Sequence, residues 1–225
     1  MHADPSASSS SRASNISCAA AARFVPEVRS TFLAPGLKVG LLGGSFNPAH
    51  EGHLHITRMC LRALGLDRVW WLVSPGNPLK PEKGMAPYQE RFASAQKMAR
   101  DPRIVVSGIE KELGTRYTAD TLAALAERFT DVNFVWLMGA DNMLQFPKWR
   151  NWHRITETVP IAVYPRPGYT LKARLSPVAT MLRECTLDTA DAALLPMMAP
   201  PALVFLSGPE TGQSATKIRE AGDWR

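Results

Sequence analysis

An α/β fold, with helices on both faces of a doubly wound parallel sheet in a single domain, is what this chain predicts. Two observations carry that expectation. After residue 36, short apolar runs alternate with amphipathic segments, strand candidate then helix candidate, the pattern of parallel strands joined by crossover helices. The first apolar run, Val39 to Leu42, ends in Gly43-Gly44, a proline turn and a helical pattern. Sheets of this kind bind ligands at that place, outside the carboxyl ends of their strands.

Each element has its own reason. Apolar runs predict strands over 37–42, 68–74, 103–107, 132–138, 160–165 and 202–206. Helical spacing predicts helices over 51–65, 87–100, 118–129 and 142–156, with a weaker one over 170–184. Pro87 suits a first helical turn, where its missing N–H is no loss. Thr118 or Asp120 is expected to cap the third helix, and Gly65 to end the first in a left-handed conformation. The Gly139-Ala140-Asp141-Asn142 turn follows the fourth strand and should face the same crevice as Gly43.

The chain has 225 residues, enough for one domain with a well-buried core, expected over 36–225. Residues 1–35, rich in Ser and Ala, are expected to form a disordered extension. Polar residues and Arg23 interrupt the apolar core that a secretory signal needs, while Arg and Ser with few acids leave a transit peptide open. No apolar run reaches 18 residues, so no membrane span is expected. The net charge of +6 calls for anionic partners, but the basic residues are scattered, which argues for nucleotide phosphates and against nucleic acid. Cys18, Cys60 and Cys185 are sparse and unpaired in spacing, which fits a reducing, cytoplasmic compartment. A homo-oligomer is left open.

The chemistry concentrates in residues 40–55, Gly-Leu-Leu-Gly-Gly-Ser-Phe-Asn-Pro-Ala-His-Glu-Gly-His-Leu-His. Glycines let the backbone approach a ligand, and a helix opening after the turn offers free N–H groups to an anion. His50 and His53 add donors that can carry positive charge. The stretch therefore reads as a phosphate cradle with catalytic donors. A dinucleotide site would need Gly-x-Gly-x-x-Gly, which is absent. His50, His53 and His55 could be read as a metal cluster, but a catalytic zinc would want a further ligand and has no use for the Gly–Pro turn. No protein-held metal is expected.

This stretch resembles the signature of the nucleotidylyltransferase superfamily, Gly-Gly-Thr/Ser-Phe-Asp/Asn-Pro-x-His-x-Gly-His. Its nine fixed positions are filled by Gly43, Gly44, Ser45, Phe46, Asn47, Pro48, His50, Gly52 and His53. Four further stretches are Ser-Pro-Gly-Asn-Pro-Leu-Lys at 74–80, Arg-Tyr-Thr-Ala-Asp-Thr-Leu at 116–122, Leu-Met-Gly-Ala-Asp-Asn-Met-Leu-Gln-Phe-Pro-Lys-Trp at 137–149, and Ser-Ala-Thr-Lys-Ile-Arg at 214–219. In this order they look like the nicotinate-nucleotide adenylyltransferase family, over residues 37 to about 221.

The resemblance implies a Rossmann-like nucleotidyltransferase fold and transfer of AMP from ATP to nicotinate mononucleotide, giving deamido-NAD and pyrophosphate. It implies His50 and His53 as catalytic donors, and Gly43, Gly44, Ser45, Phe46, Gly139, Asp141, Ser214, Thr216 and Arg219 as ATP-binding. Lys80 would bind phosphate from a loop, and Tyr117, Thr118 and Trp149 would frame the mononucleotide. Mg²⁺ would enter mainly through ATP phosphates. The family commonly has Ile-Ser-Ser-Thr where this chain has Gln213-Ser214-Ala215-Thr216, so one hydroxyl is missing.

Three alternatives stay open at this point. Another adenylyltransferase such as the phosphopantetheine enzyme shares the first motif but lacks the others as a set. The amidated mononucleotide differs by one charge. A nucleotide-binding sensor without turnover would have no call for both histidines.

Overall fold

In the computed structural model, residues 33–76, 84–210, 215–222 and Trp224 are described. The extension expected over 1–35 lies outside them up to residue 32, as do Lys80 and Ser214.

Seven strands form one sheet: β1 Lys38–Gly44, β2 Arg68–Val73, β3 Ile104–Ser107, β4 Asn133–Gly139, β5 Ile161–Tyr164, β6 Thr186–Leu187 and β7 Leu203–Phe205. Every pairing is parallel, in the order β3-β2-β1-β4-β5-β7-β6. Six of these strands stand where the apolar runs predict them. The two-residue β6 is too short to leave a periodic signal.

Successive side chains leave a strand on opposite faces, so each strand feeds two cores. On one face, Val39, Leu41, Trp70, Leu72, Phe134 and Trp136 join one buried cluster; on the other, Leu42, Val69, Trp71, Val73, Val135 and Leu137 join a second. Burial on both faces is why the strands read as continuous apolar runs.

Helices α1 Glu51–Ala63, α2 Tyr88–Met98 and α4 Thr118–Arg128 match expectation within about two residues. Between the last two lies a short α3, Ile109–Leu113, which the sequence reading missed. Gly65 follows the first helix with φ of +59°, the left-handed residue its end requires. Three boundary expectations are corrected. Pro87 is the capping residue before α2 and lies outside its first turn. Tyr117 caps α4 through its backbone, so neither Thr118 nor Asp120 is the cap.

The single helix expected over 142–156 is in fact α5 Ala140–Gln145, a 3₁₀ turn Phe146–Lys148 and α6 Trp152–Thr158. Pro147 has no N–H to continue the ladder, and Asn151 turns the chain at φ of +54°. The weaker helix over 170–184 is likewise divided into α7 Thr170–Arg174 and α8 Pro177–Met181. There Ser176 caps the proline-led second piece by accepting from the Ala179 N–H. A last helix, α9, covers Ala215–Glu220.

Candidate active site

From β1 the chain moves outward to β2 and β3, then returns to place β4 against the other flank of β1. That reversal opens a crevice beyond the carboxyl ends of β1 and β4. A cavity of about 490 Å³ lies there, and its walls include Gly43, Gly44, Ser45, Tyr117, Thr118, Asp141 and Trp149, seven of the predicted site residues. Two glycines are needed for space. A methyl group on Gly43 would meet the Trp136 indole, and one on Gly139 would overlap the Asp141 carboxylate and approach the Tyr164 ring to 3.1 Å.

The two histidines are fixed by the start of α1 itself. His50 caps the helix: its Nδ1 accepts from the Gly52 N–H at 3.1 Å, while His53 Nδ1 accepts from the His50 N–H at 3.1 Å. A neutral imidazole that accepts at Nδ1 carries its proton at Nε2, so both rings are Nε2–H donors. The rings stand 4.0 Å apart between centroids. Burial, with the Arg166 charge adding to it, lowers the His50 pKa to about 4. Burial first, then His50 and Arg166, holds His53 well below its ordinary value, against the opposing hydrogen bond to the His50 backbone. The expectation that these donors carry positive charge is therefore corrected for the unliganded chain: near pH 7 they are neutral.

Phe46 lies beneath them. Its ring is buried, 4.7 Å from the His53 ring and stacked on Trp71 at 5.2 Å, so any contact it makes with a nucleotide would come from its backbone. Neither histidine is a wall of the 490 Å³ cavity; His50 instead lines a more open hollow of about 970 Å³ with Pro48, Ala49 and Glu51. His55 is directed elsewhere, to the Pro209 carbonyl at 2.8 Å.

The turn is held by two residues with no exposed role. Arg91, only 1% exposed, donates to the carbonyls of Ser45 (2.6 Å), Ser74 (2.8 Å), Pro75 (3.1 Å) and Ala86 (3.0 Å). It ties the loops after β1 and β2 together. Asn47 donates to the Gly84 carbonyl and accepts from the Ala86 N–H and the Trp224 indole. Arg219 donates to the Asn47 carbonyl at 2.6 Å and to Thr216 at 3.3 Å, which brings α9 against the histidine turn. Thr216 itself is exposed.

The opposite wall is built from helix ends. Trp149 is half-buried, edge-on to Phe146 at 5.5 Å and to Trp136 at 6.3 Å. The Arg150 guanidinium lies 4.6 Å from the Tyr117 ring centre, on the aromatic face expected to meet the ligand. Asp141 stands two residues beyond the capping residue Gly139, and its carboxylate lies 3.6 Å from Arg166 Nε.

Sequence reasoning missed Arg166, Glu110 and Arg91. Arg166 stands just past β5, and the rule that sent attention to the ends of β1 and β4 could have found it. Glu110 and Arg91 left no such signal, because a charged residue at a buried helix position looks like any exposed one in sequence.

Among the described residues, no group of three or more His, Cys, Asp or Glu side chains is assembled that could hold a metal ion. Nor, among them, is any helix long and apolar enough to cross a membrane.

Comparison with known proteins places this geometry in context. A cytidylyltransferase-like family model matches residues 41–221. A protein of Parvibaculum lavamentivorans named "Probable nicotinate-nucleotide adenylyltransferase" is 72% identical over 87% of this chain and 98% of its own length. One of the same name from Cereibacter sphaeroides is 54% identical over 83% of this chain and 98% of its own. In fold, the chain is similar to the Plasmodium falciparum nicotinic acid mononucleotide adenylyltransferase complexed with NaAD. That likeness has a TM-score of 0.62 at 13% identity, over 82% of this chain and 83% of that one.

Proposed function

The chain belongs to the nicotinate-nucleotide adenylyltransferases of the cytidylyltransferase-like family, and from this premise we propose that it transfers AMP from ATP to nicotinate mononucleotide within the domain 36–225. The phosphate oxygen of the mononucleotide attacks the α-phosphorus of ATP, the bond to the β-phosphate oxygen breaks, and pyrophosphate leaves with deamido-NAD as the other product. A phosphate monoester is already an anion near pH 7 and needs no general base. The site's work is to align two polyanions and stabilise charge as it shifts.

His50 and His53 do this as Nε2–H donors to the ATP phosphates. Gly43, Gly44 and Ser45 bring backbone to the nucleotide, and the backbone of Phe46 follows. Gly139 and Asp141 take the adenosine portion. Thr216 and Arg219 would reach phosphate from α9, and the same role is proposed for Ser214 and Lys80, which lie outside the described residues. Tyr117, Thr118 and Trp149 frame the nicotinate ring. Magnesium would enter on ATP through its phosphate oxygens and neutralise part of their charge; among the described residues no group of three or more His, Cys, Asp or Glu could hold a metal ion. We place the reaction in the cytoplasm, in keeping with the sparse, unpaired cysteines.

What supports this reading above all is the cavity at the strand-order reversal, which gathers residues from the 43–45, 117–118, 141 and 149 positions onto one space. The test is pyrophosphate release from Mg·ATP with nicotinate mononucleotide, and with its amide, as relative kcat/KM. Release favouring the acid is expected. ATP binding without release would establish a sensor, and preference for a pantetheine phosphate would move the chain to another branch.

A further inference from the structure

Two of the three residues proposed to frame the nicotinate ring share a cation that this scheme does not use. Arg150 follows Trp149 directly, and its guanidinium lies 4.6 Å from the centre of the Tyr117 ring. Tyr117, Thr118, Trp149 and Arg150 all line the 490 Å³ cavity. Arg150 stands at the break between the 3₁₀ turn and α6, with Trp149 extended before it and Asn151 left-handed after it. Attraction to an aromatic face places a guanidinium without using an acceptor atom, so its N–H donors stay available. Among the described residues Arg150 takes part in no ion pair.

The other charges of the cavity favour an anion there. Its cations are Arg116, Lys148 and Arg150, and its acids are Glu110 and Asp141. Asp141 lies 3.6 Å from Arg166 Nε. Glu110 is 9% exposed and hydrogen-bonded to Ser74; burial pushes its pKa up to about 7, with that bond pulling the other way. The walls thus carry three positive groups against at most two negative ones. All three cations are exposed, but among the described residues only Arg150 of the three is held over a ring.

We infer that Arg150 selects the acid form of the mononucleotide, its guanidinium meeting the ring carboxylate beside Tyr117 and Trp149. This rests on the mononucleotide reading of the cavity. Acid and amide share the ring, the ribose and the phosphate, and differ only at this group. A carboxylate offers two charged oxygens to the guanidinium fork, whereas an amide offers one neutral oxygen and an NH₂ that is itself a donor. A cation that served the phosphate instead would bind both forms alike.

The test is relative kcat/KM for the acid and amide mononucleotides at saturating Mg·ATP, in wild type and Arg150→Gln. The acid-over-amide ratio should fall about tenfold in R150Q, the scale of one charge-assisted contact. The fall should lie in KM for the acid, since the contact is present in ground state and transition state alike. Arg150→Lys keeps the charge without the fork and should recover part of the ratio. Arg116→Gln and Lys148→Gln read the general positive field, and their ratios should stay near that of wild type. A wild-type ratio in R150Q, or a larger fall in R116Q or K148Q, overturns the inference while leaving the acid reading intact. Should R150Q fail to fold, R150K decides: its ratio must lie below that of wild type, and an equal ratio overturns the inference. A wild-type chain that does not favour the acid overturns the underlying reading as well.

Discussion

The two walls of the crevice are made in different ways. The first, at Gly43 to Ser45, belongs to a turn that runs on to His53 outside the 490 Å³ cavity and is held almost wholly by backbone-directed bonds. The histidines lock each other and the helix start, and Arg91 anchors the turn by the Ser45 carbonyl. The second wall, from Arg116 to Arg150, presents long side chains from helix ends and a broken helix, several of them exposed and carrying charge. A wall fixed by its own backbone can hold donors within a fraction of an ångström, as transition-state stabilisation demands. A wall of side chains can adapt to the shape and charge of an incoming ring. On the proposed reading, catalysis would fall to the first and selection to the second.

The largest expected effect tests the first wall. His53→Ala should lower kcat by at least about 10²-fold, the scale of losing a donor to the transition state. Because it also opens the capping box, about 1 kcal/mol of stability should go with it. Near-normal turnover in steady-state assays would remove His53 from the chemistry.

Arg91→Ala comes next and probes what holds that wall. It strips four carbonyls of their shared partner, and a loss of about 3 kcal/mol is expected, seen as a fall of roughly 6–12 °C in Tm. An unchanged melting curve would mean that the loops after β1 and β2 are tied by something else.

On the second wall, Trp149→Ala should weaken the mononucleotide by roughly tenfold while leaving ATP nearly unaffected, in line with the loss of one aromatic contact. Equal weakening of both ligands in a binding titration would assign Trp149 to the core, alongside Phe146 and Trp136.

A last contrast is drawn through pH. His50, with pKa lowered to about 4, is protonated more readily in the unfolded chain, so the stability it permits above pH 6.5 is lost as pH falls toward 4. Glu110, with pKa raised to about 7, has the opposite sign: its contribution is full below about 4.5 and is lost as pH rises through 7. Across pH 4.5–6.5 the two partly cancel in wild type. Melting curves of Glu110→Gln should therefore gain on wild type as pH rises from 4.5 to 7, and His50→Gln should gain as pH falls from 6.5 to 4. A flat difference for either variant would show that its group keeps an ordinary pKa in the folded chain.

The histidine turn was legible because its function needs particular residues at fixed spacing. Glycines must leave space for the indole of Trp136 and for ligand, and a histidine at the cap forces its partner three residues on. The strands were legible because burial on both faces leaves unbroken apolar runs. The break at Pro147 could have been seen from the proline alone, had the helical spacing on either side not been allowed to override it. Tyr117, Thr118, Asp141 and Trp149 line one cavity, where the sequence assigned Asp141 to ATP and the other three to the mononucleotide, and Arg150 over Tyr117 was not foreseen. Such a contact depends on where two helix ends meet.

By itself, the sequence determined the parallel α/β architecture and a turn of glycines and histidines after the first strand. Both follow from local patterns of apolar period, glycine spacing and residue type; the family was read from the resemblance of its motifs. Only the tertiary structure decided the charge states. Whether His50 is neutral, Glu110 holds a proton or Asp141 faces Arg166 is set by desolvation and by groups far away in the chain. Those are properties of assembled space, and no local spacing encodes them.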